Sequence, residues 1–166
     1  MNTEHQSGFT FLEILISMTI VSLVALISTV NLIGFFSRQG LQQESKEMVA
    51  LLRSAQEKSM NQENGSRWGV SFYNGPERDE YALFEVDEGL FASSTASVPG
   101  TVSQLHTISR RFTFTTNPAL DTRINVAFSK ISGLPSSAQT FYLIIGTDET
   151  SSSTITIGGN GLINYE

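Results

Sequence analysis

One carboxylate stands where carboxylates are scarce. Glu13 opens a stretch, residues 14–36, that contains no charged side chain. An acid at the edge of such a run costs up to about 2.5–3.5 kcal/mol if it is drawn toward a bilayer centre, so it calls for a partner. The nearest candidate is an amine that only hydrolysis would create. If the chain were cut between Gly8 and Phe9, the Phe9 amine would stand four residues from Glu13, one helical turn away on the same face. The chemistry is then an ion pair, within one chain or between neighbours, switched on by cutting a peptide bond.

The rest of the sequence offers little that could compete. There is no cysteine among the 166 residues, which excludes disulfides, thiol catalysis and thiolate-held metals. The only histidine beyond His5 is His106, in an alternating segment, and it reads as a surface or edge-strand residue. A Ser-His-Asp arrangement or a two-histidine zinc site has nothing to build on, so no catalytic residue, metal or cofactor is expected. Asp148 and Glu149 lie in a Ser/Thr-rich loop of the kind that can hold calcium, but their spacing matches no calcium loop. Glu77-Arg78-Asp79-Glu80 and Asp87-Glu88 read as solvated strand ends. Gly158-Gly159-Asn160-Gly161 is not followed by a helix and so is no phosphate cradle. Arg110, Arg111, Arg123 and Lys130 could form a small basic patch, with Phe112 and Phe114 nearby for stacking on bases. Residues 37–166 carry ten basic and fourteen acidic side chains, which works against that reading, since a weakly acidic exterior repels nucleic acid.

The elements that must position Glu13 follow from hydrophobic patterning. Residues 14–36 are apolar on every side, and as a helix they extend about 34 Å, enough for a hydrocarbon core of roughly 30 Å. A helix apolar all round is either a membrane span or buried in the core of a large protein, and this run is too long to be the core helix of a small domain. A secretory signal would be shorter and would close on small residues. After Phe36 the helical pattern continues with one apolar stripe, Leu41, Met48, Val49, Leu52 and Ala55, to about Asn61. Arg53 and Glu57 are spaced to pair on its outer side. Gly34 and Gly40 are candidate kinks, and Asn64-Gly65 reads as the stop. The remainder reads as short strands: 68–73 and 81–86 around the turn Asn74-Gly75-Pro76, an alternating 104–115 with a bulge or break at Arg110-Arg111, 124–128, and a central 140–145. Residues 90–100 and 148–153 read as loops, and a hairpin closes over Gly158–Gly161. The expected organisation is a leader at 1–8, a transmembrane and assembly half-helix at 9–36, an amphipathic half-helix at 37–62, and a β-rich domain at 63–166. The fold class is α+β, with the long hydrophobic helix packed on an antiparallel β-rich globular domain.

Gly8-Phe9-Thr10-Phe11-Leu12-Glu13 followed by an apolar helix resembles the class III signal of type IV pilins and type II secretion pseudopilins. The resemblance implies a prepilin peptidase that cuts Gly8–Phe9 and methylates the Phe9 amine, with Glu13 meeting a neighbouring subunit's amine during assembly. It implies, as partners, other pilin or pseudopilin subunits, the inner-membrane assembly platform and the membrane itself. It also implies a single-pass protein of the cytoplasmic membrane, with its exterior in the periplasm or at the cell surface, drawn into a pilus or pseudopilus. Met1–Gly8 contains Glu4 and His5 but neither Lys nor Arg, so the membrane topology rests on the resemblance and not on charge bias. More loosely, Leu52-Arg53-Ser54-Ala55-Gln56-Glu57-Lys58-Ser59, Val126-Ala127-Phe128 with Gly133, and Ile155-x-Ile157…Gly161-x-Ile163 resemble the minor subunits called GspH and FimT. FimT-type proteins take up DNA with arginines near the closing hairpin. Here that tail, Gly161 to Glu166, ends acidic, so nucleic acid is not expected as a partner. The reading is a minor pilin or pseudopilin with a structural role. The alternatives are a DNA-binding minor pilin and an anchored binding module that never polymerises.

Overall fold

The computed structural model describes residues 9–87, 97–146 and 148–166; the side chains of 27–33 and 148–150 lie outside that description. Helix α1 covers Phe11–Met60 without a break. Gly34 and Gly40 therefore do not interrupt it. Gly40 has a packing role instead: a Cβ there would lie 3.0 Å from the Phe112 ring. The chain divides into two compact units, Met1–Phe36 and Ser37–Glu166.

In the first unit, α1 carries its apolar side chains uncovered, from Phe11 through Leu26. The described side chains of this run span roughly 24 Å. Among the described residues no helix is long and apolar enough to cross a membrane.

In the second unit the amphipathic part of α1 packs on two antiparallel four-stranded sheets. Strand β1 (Arg67–Asn74) pairs with β2 (Glu80–Val86) and β5 (Thr122–Ala127), and β3 (Thr101–Thr107) adds to the outer edge of β2. The second sheet runs β4 (Phe112–Phe114), β6 (Gln139–Ile145), β7 (Asp148–Ile157), β8 (Ile163–Tyr165). The predicted stripe Leu41, Met48, Val49, Leu52 and Ala55 is buried throughout. It meets Val70, Phe72, Tyr81, Leu83 and Val126 from one sheet, and Phe114, Phe141, Leu143, Ile155 and Ile157 from the other. Phe72 joins the two sheets, its ring 4.2 Å from Phe141 and edge-on to Phe114 at 6.0 Å. Such aromatic pairs add about 0.5–1.5 kcal/mol beyond their burial.

Several expectations change. The alternating run 104–115 is two strands in different sheets: a turn at Ser109–Phe112, closed by the Phe112 N–H on the Ser109 carbonyl, sends β4 across the core. A bulge between Gln104 and Val102 puts Val102 and Leu105 on one face, and all of β3 is exposed. The polar segment 148–153 is strand and not loop. Ser152 and Ser153 lie opposite Ile144 and Leu143, because ladder bonds to β6 compensate for weak local signals. Helix α1 ends at Met60, and Gln62, Asn64 and Gly65 turn the chain with left-handed φ values of 53°, 57° and 69°. Most of the predicted 90–100 loop lies outside the described residues.

Candidate assembly site

The geometry around Glu13 begins with a cap. Because α1 starts at Phe11, Thr10 is its N-cap, and the Glu13 N–H donates to Thr10 Oγ1 at 3.3 Å and to the Thr10 carbonyl at 3.0 Å. Thr10-Phe11-Leu12-Glu13 has the Thr-x-x-Glu spacing of a capping box, a signal present in the sequence but missed there. An acid in the first turn also complements the positive end of the helix dipole. Phe9 stands ahead of the first turn and is 80% exposed. Gly8, the other half of the predicted scissile bond, lies outside the described residues.

Glu13 is surrounded by uncovered Phe9, Phe11, Leu12 and Ile14, and among the described residues it forms no ion pair. Among the described side chains, the hydroxyls that interrupt the apolar run are satisfied internally. Ser17 donates to the Glu13 carbonyl at 2.7 Å, Thr19 to Ile16 at 2.7 Å and Ser22 to Met18 at 2.8 Å. Hydroxyls returned to their own helix backbone can enter an apolar medium without leaving a donor unmade. Phe9, Ile14, Ser17, Met18, Val21 and Ser22 line a shallow groove on this helix. The surface therefore suits apolar contact, with one uncompensated carboxylate.

In the second unit the loosely matching motifs converge. Gln56 donates from Nε2 to the Gly133 carbonyl and to the Gly161 carbonyl, both at 2.9 Å. Arg53 donates to the Ile163 carbonyl at 3.2 Å and is not paired with Glu57; the ion pair near this end of the helix is Lys58–Glu63. A charge-assisted bond to a part-buried carbonyl outweighs an exposed pair worth a few tenths of a kcal/mol. Ser59 accepts from the Trp68 N–H at 2.7 Å and donates to the Trp68 carbonyl at 3.1 Å. Glycine is required at both turns. Gly133 and Gly161 have φ of 63° and 82°, and a Cβ would lie 2.7 Å from Met60 Sδ or 2.9 Å from Gln56 Nε2, respectively.

Asp79, expected in solvent, is buried. Its carboxylate accepts from the Phe114 N–H at 2.7 Å and the Gly75 N–H at 3.2 Å, which ties β4 to the β1–β2 turn. Asn74 completes this tie with bonds to the Phe114 and Pro118 carbonyls. On α1, Glu44 accepts from the Tyr81 hydroxyl at 3.2 Å; burial pushes the Glu44 carboxyl above its ordinary value, and burial also pushes the Tyr81 phenol up. His106 lies on the edge strand, as expected, stacked on Tyr81 at 5.0 Å.

The basic residues are differently disposed. Arg123 donates to Ser71 Oγ at 2.9 Å and lies over the Tyr73 ring. The Tyr73 phenol is held above its ordinary value by the hydrogen bond it donates to Asp121. Arg110 and Arg111 sit in the β3–β4 turn, and Lys130 follows β5. Phe112 and Phe114 are core residues and are not available to stack on bases. Among the described residues no cluster of three or more His, Asp or Glu could hold a metal ion; the side chains of Asp148 and Glu149 lie outside the description.

Residues 4–29 match the prokaryotic N-terminal methylation motif, which includes Gly8, Phe9 and Glu13. The fold is similar to that of the type IV minor pilin FimU of Pseudomonas aeruginosa (strain PAO1). One crystal form gives a TM-score of 0.56 at 17% identity, over 80% of this chain and 92% of that one. A second crystal form gives 0.54 at 16% identity, over 76% and 92%. No curated protein sequence matches the chain. The chain thus joins the methylation motif of prepilins to a pilin-like α+β fold.

Proposed function

We propose, for a chain with the prepilin methylation motif on a minor-pilin fold, that it is a structural subunit of a type IV pilus-type filament and works by assembly and not by catalysis. The observation that carries this reading is Glu13: an unpaired carboxylate in the first turn of a helix whose apolar side chains are uncovered. Residues 9–36 hold the precursor in the cytoplasmic membrane, with the exterior domain on the far side. A prepilin peptidase cuts Gly8–Phe9 and methylates the Phe9 amine. In the filament, the apolar half of α1 packs against the same segment of other subunits, and Glu13 pairs with a neighbour's amine. A carboxylate buried without a partner costs several kcal/mol, so a subunit out of register is rejected. Similarity to a type IV minor pilin supports a minor position in a pilus over a secretion pseudopilus.

The test is the intact mass of the membrane-extracted protein. Loss of residues 1–8 with one methyl added is expected; an uncut chain in cells with active prepilin peptidase ends this reading. Glu13→Ala should be cleaved normally yet be incorporated into filaments at a small fraction of the wild-type level. Normal incorporation of that variant refutes the register role while leaving the processing intact.

A further inference from the structure

The two sheets differ in what they turn to solvent. On the second sheet Phe141, Leu143, Ile155 and Ile157 enter the core, so the residues alternating with them point away from it. Register sets these outward residues in rows: Thr140 beside Thr156, Tyr142 beside Thr154, and Ile144 beside Ser152. The flanking strands add Thr113 beside Ile144 and Asn164 beside Thr156. None of these eight side chains is charged. The outer face of the first sheet is the contrast, with Glu80, Tyr73 and Arg123 in one row. A face kept only for solubility carries charge at about a quarter to a third of its positions, so this array is built for something other than repelling its neighbours.

Tyr142 is the one aromatic in the array, and it is 41% exposed. Among the described residues its ring stacks on no other, and the side-chain hydroxyls of Tyr142, Thr140, Ser152, Thr154 and Thr156 form no hydrogen bond. Each hydroxyl is both a donor and an acceptor. The ladder holds them at regular intervals, roughly 6.7 Å along β7 and about 4.8 Å between strands, which suits a ligand whose own hydroxyls recur along a chain. Beside the ring lies a shallow depression of about 290 Å³, lined by Thr115, Thr116, Tyr142, Ile144 and Ser152. That is at the lower end of small-molecule sites, about 300–1,000 Å³, so it takes a ring-sized unit and not a folded domain.

We propose that this face binds a neutral polysaccharide, with one sugar ring against Tyr142 and the neighbouring sugar hydroxyls taken by the Ser and Thr rows. The C–H groups on one side of a pyranose ring are apolar and weakly positive, and they complement the negative face of a phenol ring. The sugar hydroxyls exchange water for hydroxyls that the fold leaves unused. A nucleic acid or an acidic glycan meets no cation on this face. The proposal is independent of the filament reading: it gives the exterior domain a ligand, whichever assembly carries that domain.

The test is binding of the full-length chain, in a detergent without a sugar headgroup, to an array of immobilised oligosaccharides. The array holds cello-, malto- and chito-hexaose as neutral probes and sulfated and uronic oligomers as acidic ones. Retention on at least one neutral series is expected. Tyr142→Ala should weaken the apparent affinity roughly tenfold, whereas Tyr142→Trp, which keeps a ring, should hold it within about threefold. Thr154→Lys, which sets a charge opposite the ring, should weaken neutral binding as much as the alanine does. All three variants should melt within about 3 °C of wild type, since these side chains lie on the surface. If Tyr142→Ala melts lower, Thr154→Lys and Tyr142→Trp decide between a role in binding and one in folding. A folded wild-type chain retained by no neutral oligosaccharide overturns the proposal. So does retention only on acidic glycans or DNA, or neutral retention that Thr154→Lys leaves unchanged. None of these results bears on cleavage or incorporation, so the filament reading stands or falls separately.

Discussion

Gln56→Ala removes two hydrogen bonds at once, and its cost can be worked from the contacts. The Gln56 amide reaches the carbonyls of Gly133 and Gly161, 77 and 105 residues further along the chain, both at 2.9 Å. A neutral hydrogen bond of this type contributes about 1 kcal/mol net, and the carbonyls are only part-buried, so water can reach them once the amide is gone. The expected loss is about 2 kcal/mol. For a domain of this size that lowers the melting temperature by roughly 6–10 °C. Trp68, the single tryptophan, is a suitable reporter, because its backbone is bonded to Ser59 one turn along the same helix. The assay is thermal unfolding of the full chain in detergent, followed by tryptophan fluorescence. Gln56→Glu is the control for volume: it keeps the shape but turns a charged acceptor toward two carbonyl oxygens, so at neutral pH it should cost more than the alanine. A loss below about 0.5 kcal/mol for the alanine, or a glutamate variant as stable as wild type, would falsify the claim that Gln56 fastens the two turns to the helix.

Asp79→Ala leaves the Phe114 and Gly75 N–H groups without their acceptor. Bonds to a charged group contribute about 1.5–3 kcal/mol each, so a loss of about 3–5 kcal/mol is expected in the urea midpoint, with Asp79→Asn in between; a loss under 1 kcal/mol would return Asp79 to the solvated role read from sequence. Glu44 gives a pH dependence. Its carboxyl is raised in the folded state above 4.5, chiefly by burial, so its contribution is fully present below that value and is lost as pH rises through the raised folded value. Glu44→Gln should therefore flatten the stability–pH curve just above pH 4.5, and an unchanged difference between variant and wild type across that window would refute the assignment.

The sequence alone determined the features that act over short distances. An uncharged run next to Glu13, a 3.6-residue stripe on α1 and a glycine hairpin each follow from neighbours along the chain, so their periodicity and turn chemistry could be read directly. Even the missed Thr10 cap was legible at three-residue spacing. Tertiary structure decided what depends on which distant segments meet. The run 104–115 was legible as alternating, but only packing assigned Leu105 to an exposed edge and Phe112 and Phe114 to the core of the other sheet. Asp79 belongs to a hydrophilic tetrapeptide and looks solvated until β4 arrives to donate Phe114's N–H. Segment 148–153 has weak strand propensity, and it is strand because β6 supplies the other half of its ladder. Tyr142 shows the same division: its type and place are in the sequence, within a segment read as a central apolar strand, whereas its outward position comes from the register that sends Phe141 and Leu143 into the core.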